Sequence, residues 1–136
     1  MPEPPSETFR ASLRRCLATP DFLHRFYDAF VASSDEVREK FRQTDFPRQA
    51  RVLSDSLFLA AVAAESRHDA IAWKELDRLA ERHSHAHLDI RPGLYDLWLE
   101  CLVDAARRYD PSFSDEIEAA WRHALAPAIA RLKEGY

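Results

Sequence analysis

The chain is expected to be all-α. Its apolar residues recur at helical spacing, no stretch alternates as a half-buried strand would, and glycine is nearly absent, only Gly93 and Gly135 among 136 residues. Seven helical pieces follow, at about 6–18, 20–33, 35–41, 47–67, 69–84, 92–109 and 114–134, each boundary open by roughly 2–4 residues. Thr19-Pro20-Asp21 reads as a cap, a first-turn proline and an acidic first turn. Phe46-Pro47 and Arg91-Pro92 begin further apolar-periodic runs, and the turn Asp110-Pro111-Ser112-Phe113-Ser114 leads into the last helix. The predicted inward faces are Phe22, Phe26, Ala29 and Phe30; then Leu53, Leu57, Ala60, Ala61 and Ala64; then Leu94, Trp98, Cys101, Leu102 and Ala105; and finally Ala120, Leu125, Ile129 and Leu132. Residues 1–5, Met-Pro-Glu-Pro-Pro, are expected to form a disordered tail ahead of one domain at 6–136.

Composition excludes several functions. Hydrophobic residues make up 46% of the chain and charged residues 31%, enough for both a core and a solvated surface. The formal net charge of −4 gives no basic footprint for nucleic acid or an anionic membrane. No apolar run approaches the roughly 20 residues of a spanning helix, and the start lacks a signal peptide's basic and apolar regions, so the expected location is the cytoplasm. So few glycines argue against a phosphate-binding loop. Cys16 and Cys101 lie within separate apolar patterns and read as free thiols acting as small hydrophobes. No Cys-x-x-Cys pair is present to suggest zinc, dithiol or covalent haem chemistry.

One histidine stands out. In Trp73-Lys74-Glu75-Leu76-Asp77-Arg78-Leu79-Ala80-Glu81-Arg82-His83, the residues Leu76, Leu79 and Ala80 share a face that His83 continues. An imidazole aimed at an interior is a ready ligand for a borderline metal, haem iron included, although a histidine there also serves as an ordinary core-boundary residue. The run His83-Ser84-His85-Ala86-His87 invites a zinc reading, but no Glu follows His83 and no third ligand is placed. No Ser-His-Asp set or carboxylate pair marks a hydrolase.

Four segments, in order, give a family resemblance: Phe26-Tyr27-Asp28-Ala29-Phe30; Glu36-Val37-Arg38-Glu39-Lys40-Phe41; Leu79-Ala80-Glu81-Arg82-His83; and Pro92-Gly93-Leu94-Tyr95-Asp96-Leu97-Trp98. Ala119-Ala120-Trp121 adds the opening of a last helix. Together they resemble a bacterial single-domain globin from about residue 6 to residue 136. The resemblance implies a globin-like fold whose helices enclose haem b, with His83 as iron ligand and Tyr27, Phe41, Gln49, Leu53, Leu79, Ile90, Tyr95 and Trp98 as pocket residues. His85 is the rival ligand, because it restores a commoner spacing to Pro92. Arg48 and Arg51, flanking Gln49, are candidates for a haem propionate or for solvent.

Each pocket role has an ordinary alternative. Tyr27 would donate its hydroxyl to a bound gas, or simply pack its ring. Gln49 would donate to the ligand or to Tyr27, or face water in its first turn. Phe41, Leu53 and Trp98 would wall the haem or fill the core. Tyr95 resembles the proximal tyrosine of flavohaemoglobin-like globins, which works with a carboxylate on the last helix; Glu134 does not align with that carboxylate. The implied function is reversible binding of dioxygen, with nitric oxide and carbon monoxide as further gases, for carriage rather than catalysis. Nitric-oxide dioxygenation would need a separate reductase. The alternatives are a globin-fold signalling or interaction module without haem, and an oxygen sensor with an output domain elsewhere.

Overall fold

A computed structural model describes residues 4–136. Its helices are α1 (Pro5–Leu17), α2 (Asp21–Ala32), α3 (Asp35–Lys40), α4 (Phe46–Glu65), α5 (Ala70–His83), α6 (Gly93–Tyr109) and α7 (Asp115–Glu134), with no strand among the described residues. Of the expected tail, residues 1–3 lie outside the described residues. Pro4 and Pro5 begin α1, where a missing N–H costs nothing because the first-turn donors have no helical acceptor.

Local chemistry sets the helix starts. Ser34, Asp45, Asp69 and Ser114 each accept an N–H from the first turn through their side chains. Before α2, the Thr19 hydroxyl accepts the Asp21 N–H at 3.3 Å, so Pro20 precedes the helix instead of opening it.

Helix α7 packs against α1, α4 and α5, while α2 packs against α3 and α6. At the centre, the Phe9 ring meets Trp121 edge-on at 4.8 Å, and Phe22 meets Tyr109 and Trp121 at 6.3 and 6.2 Å. The inward faces are largely as the periodicity predicts, with one correction: Ala29 is exposed. The buried arc of α2 runs through Phe22, Phe26 and Phe30 towards Leu23 and Tyr27, and Ala29 falls beyond its edge. Both cysteines are free thiols, Cys16 buried and Cys101 partly so.

Where α1, α6 and α7 meet, a buried polar knot ties the chain's first helix to its last turn. The Trp121 indole N–H donates to Ser12 Oγ at 2.9 Å, and Ser12 donates to Asp110 Oδ2 at 2.6 Å. Arg15 grips both carboxylate oxygens, at 2.6 and 2.9 Å, and the Ser112 N–H adds a bond at 2.9 Å. Burial alone would raise the Asp110 carboxyl above its usual range, but these donors outweigh it and hold it below.

Candidate functional site

Helices α2, α3, α4, α5, α6 and α7 leave a cavity of about 170 Å³ between them. Tyr27, Phe41, Gln49, Leu53, Leu79, His83, Ile90, Tyr95 and Trp98 all line it. These residues come from the second helix to the sixth and are far apart in sequence. The remaining wall is nearly all apolar and includes Phe30, Val37, Leu57, Leu76, Leu94, Leu125, Ile129 and Leu132. Lys40 stands at its edge, with Nζ donating to the Leu88 carbonyl at 3.0 Å. Sequence reasoning missed Lys40 and the wall residues of α7. The α7 stripe had marked Leu125, Ile129 and Leu132 as inward-facing, without showing that they face a cavity.

His83 is the last residue of α5. Its Nδ1 lies 2.8 Å from the Leu79 carbonyl oxygen. A carbonyl only accepts, so Nδ1 carries the proton and Nε2 keeps its lone pair. Nε2 has no hydrogen-bond partner among the described residues. Burial pushes the imidazole below its ordinary value, and Arg82 adds to this, while the bond to Leu79 opposes it. The ring is therefore neutral at pH 7, the form that ligates a metal. His85 and His87 lie exposed in the following turn, and neither lines the cavity. Among the described residues no group of three or more His, Cys, Asp or Glu side chains is placed to hold a metal ion.

Tyr27 is buried, and its hydroxyl donates to the backbone carbonyl of Gln49 at a long 3.4 Å. Burial pushes its phenol up to about 12, opposed by the nearby Gln49 side chain, so it stays a protonated donor. An aromatic cage holds the ring, with Phe26, Phe41 and Phe46 at 4.9, 5.7 and 5.5 Å. Trp98 packs edge-on against Phe26 at 6.4 Å. Arg48 and Arg51 are exposed and do not line the cavity.

The Tyr95 ring lies 6.5 Å from that of His83. Its hydroxyl is buried with no hydrogen-bond partner, and burial pushes its phenol up to about 12. Glu134 is exposed at the far end of α7 and does not line the cavity, so it does not serve Tyr95. An unsatisfied buried hydroxyl and an unpaired imidazole nitrogen in one apolar cavity are the marks of a site shaped for a bound group.

A family model for globins matches residues 24–132. The structure is similar to the crystal structure of a protein from Pseudomonas aeruginosa PAO1 described as structurally highly homologous to a human haemoglobin. The TM-score is 0.91 and the identity 35%, over 98% of this chain and 98% of that one. No curated protein matches the chain. No helix among the described residues is long and apolar enough to cross a membrane. With seven helices among the described residues and a cavity that His83 enters, the chain belongs to the globin family.

Proposed function

We propose that the protein binds haem b through His83 and takes up dioxygen reversibly, with nitric oxide and carbon monoxide as further ligands. The observation that carries this reading is the His83 ring, with Nδ1 committed to Leu79 and Nε2 unpaired in a cavity whose walls are apolar. A resident haem supplies the iron at which a diatomic gas binds.

The chain supplies the rest. Phe41, Leu53, Leu79 and Ile90 offer apolar contact and exclude water. Lys40 is the cation at the cavity edge for an acidic group of the cofactor. The Tyr27 hydroxyl is the donor for a gas that gains negative charge on binding, and its long bond to the Gln49 carbonyl is cheap to give up. Because the Tyr95 hydroxyl has no carboxylate beside it, nothing in the wall draws further electron density onto the imidazole. That favours reversible binding over nitric-oxide dioxygenation, which would also need electrons from a separate reductase.

Loading the purified protein with haem tests the reading. We expect one haem per chain, a Soret band that shifts on reduction and again with carbon monoxide, and a dioxygen-dependent spectrum that reverses when the gas is removed. Failure to retain haem would favour a globin-fold interaction module instead.

A further inference from the structure

A second concave surface lies beside the cavity, a groove between α2 and the start of α4. The half-buried Val31, Phe46 and Ala50 give it an apolar lining, and Asp28 and Arg38 are among its exposed residues. Among the described residues only Tyr27 lines both this groove and the cavity. Phe41 lies on the cavity side of Tyr27 and Phe46 on the groove side, their rings 5.7 and 5.5 Å from the Tyr27 ring and stacked on each other at 6.1 Å. Cavity and groove are therefore parted by a single layer of aromatic side chains.

The members of that layer are held unequally. Tyr27 sits in the middle of α2 and is 5% exposed. Phe46 is the first residue of α4 and only half-buried. The first N–H groups of a helix have no helical acceptor, and the side-chain cap here is Asp45, which accepts the Arg48 N–H at 3.3 Å. Local opening is cheapest at such ends, so Phe46 is the ring that can swing while Tyr27 stays in place. The cavity's other opening is marked by Lys40 and Val52, the two exposed residues of its lining. On the haem reading that opening admits the cofactor and meets its acidic edge, so a gas that follows needs another way in.

We propose that the groove between α2 and α4 is the entry route for dioxygen and other small apolar gases, which pass Tyr27 when the Phe46 ring swings aside. The proposal rests on the haem reading, but its first test needs no haem. Dissolved dioxygen is apolar and paramagnetic, so it speeds nuclear relaxation where it lodges. In the cofactor-free protein, methyl relaxation at Val31 and Ala50 should rise about twofold or more above that at Ile71, because an apolar gas partitions into apolar surroundings. Ile71 is 79% exposed and lines neither the cavity nor the groove. Ala50→Leu should abolish the rise at Val31.

In the haem-loaded protein, a residue met only in passage changes the barrier equally in both directions. Ala50→Leu fills the groove, and should slow association and release of both dioxygen and carbon monoxide about tenfold. Phe46→Leu thins the aromatic layer and should speed both rates about threefold. Affinity should stay unchanged in each variant, whereas loss of a hydrogen bond would weaken dioxygen more than carbon monoxide. Relaxation at Val31 no greater than at Ile71 would overturn the proposal, as would a changed affinity in both variants. Slowing in Val52→Leu in place of Ala50→Leu would move the route to the mouth and overturn it too. If the wild-type protein retains no haem, the haem reading falls and the route falls with it. Unchanged gas rates in variants that do retain haem would overturn the route alone.

Discussion

The two polar clusters inside this molecule are built on opposite terms. At the junction of α1, α6 and α7, Trp121, Ser12, Asp110 and Arg15 satisfy one another. At the cavity, the Tyr95 hydroxyl has no partner, the Tyr27 hydroxyl has only a bond at 3.4 Å, and His83 keeps one nitrogen unpaired. A closed network rigidifies a fold. An open set of polar atoms costs stability until something fills it, and natural structures retain such sets where they bind. The satisfied cluster lies where three helices are tied together, and the unsatisfied set lines the cavity.

The separation breaks most visibly at Asp110. Asp110→Ala removes the carboxylate that the buried Ser12 hydroxyl and the Arg15 guanidinium both donate to, and should cost about 3 kcal/mol in urea unfolding. The spectrum of the haem-loaded protein should not change, and a change would show that the two clusters are coupled. On the open side, Tyr27→Phe removes a donor and little volume. Dioxygen release should accelerate about 10- to 150-fold in flash or stopped-flow measurements. Carbon monoxide is less polar when bound and should respond less; equal small effects on both gases would take Tyr27 out of the ligand network.

Tyr95→Phe carries the opposite sign. Deleting an unsatisfied buried hydroxyl should stabilise the cofactor-free protein by about 1 kcal/mol. A loss of stability would show that the hydroxyl is bonded in solution.

Acid should sharpen the contrast. The Asp110 carboxyl lies below its ordinary 3.8 when folded. Its contribution is therefore present above that value and lost as pH falls through the folded pKa. His83 is depressed below 6.5 by burial. The unfolded chain thus binds that proton first, and stability falls as pH drops from about 6.5 towards the folded value. A pH series of urea midpoints on Asp110→Asn and His83→Ala should flatten these two limbs separately. The smallest effect belongs to Gln49→Leu, which keeps the backbone carbonyl that Tyr27 meets; dioxygen release should change less than about threefold. A larger change would place the Gln49 amide in the ligand's reach.

The fold was legible because local signals agree. The Thr19-Pro20-Asp21 start, the prolines at 47 and 92, the turn ending at Ser114 and 3.6-residue stripes locate α1 to α7 within a residue or two of their ends. Much of the cavity was legible: Leu79 and His83 fall on a face the periodicity marks, while Tyr27 and Phe41 followed only from the family resemblance. The preference for His83 over His85 followed from the Leu76-Leu79-Ala80 stripe, and the structure puts only His83 on the cavity. The polar knot was not legible. Asp110 read as a turn residue because its partners, Ser12 and Arg15, lie almost a hundred residues away, and only tertiary packing brings them together. The missing hydrogen-bond partner of the Tyr95 hydroxyl was hidden for the same reason.

The most direct test of the central claim, that His83 is the group held open for iron, is a cavity variant. His83→Gly, His85→Ala and His87→Ala are loaded with haem and followed at the Soret band, with and without added imidazole. The account predicts that His83→Gly alone loses haem and that imidazole restores both retention and spectrum, while the other two match wild type. Loss of haem in His85→Ala with retention in His83→Gly would contradict it and move the ligand into the exposed turn.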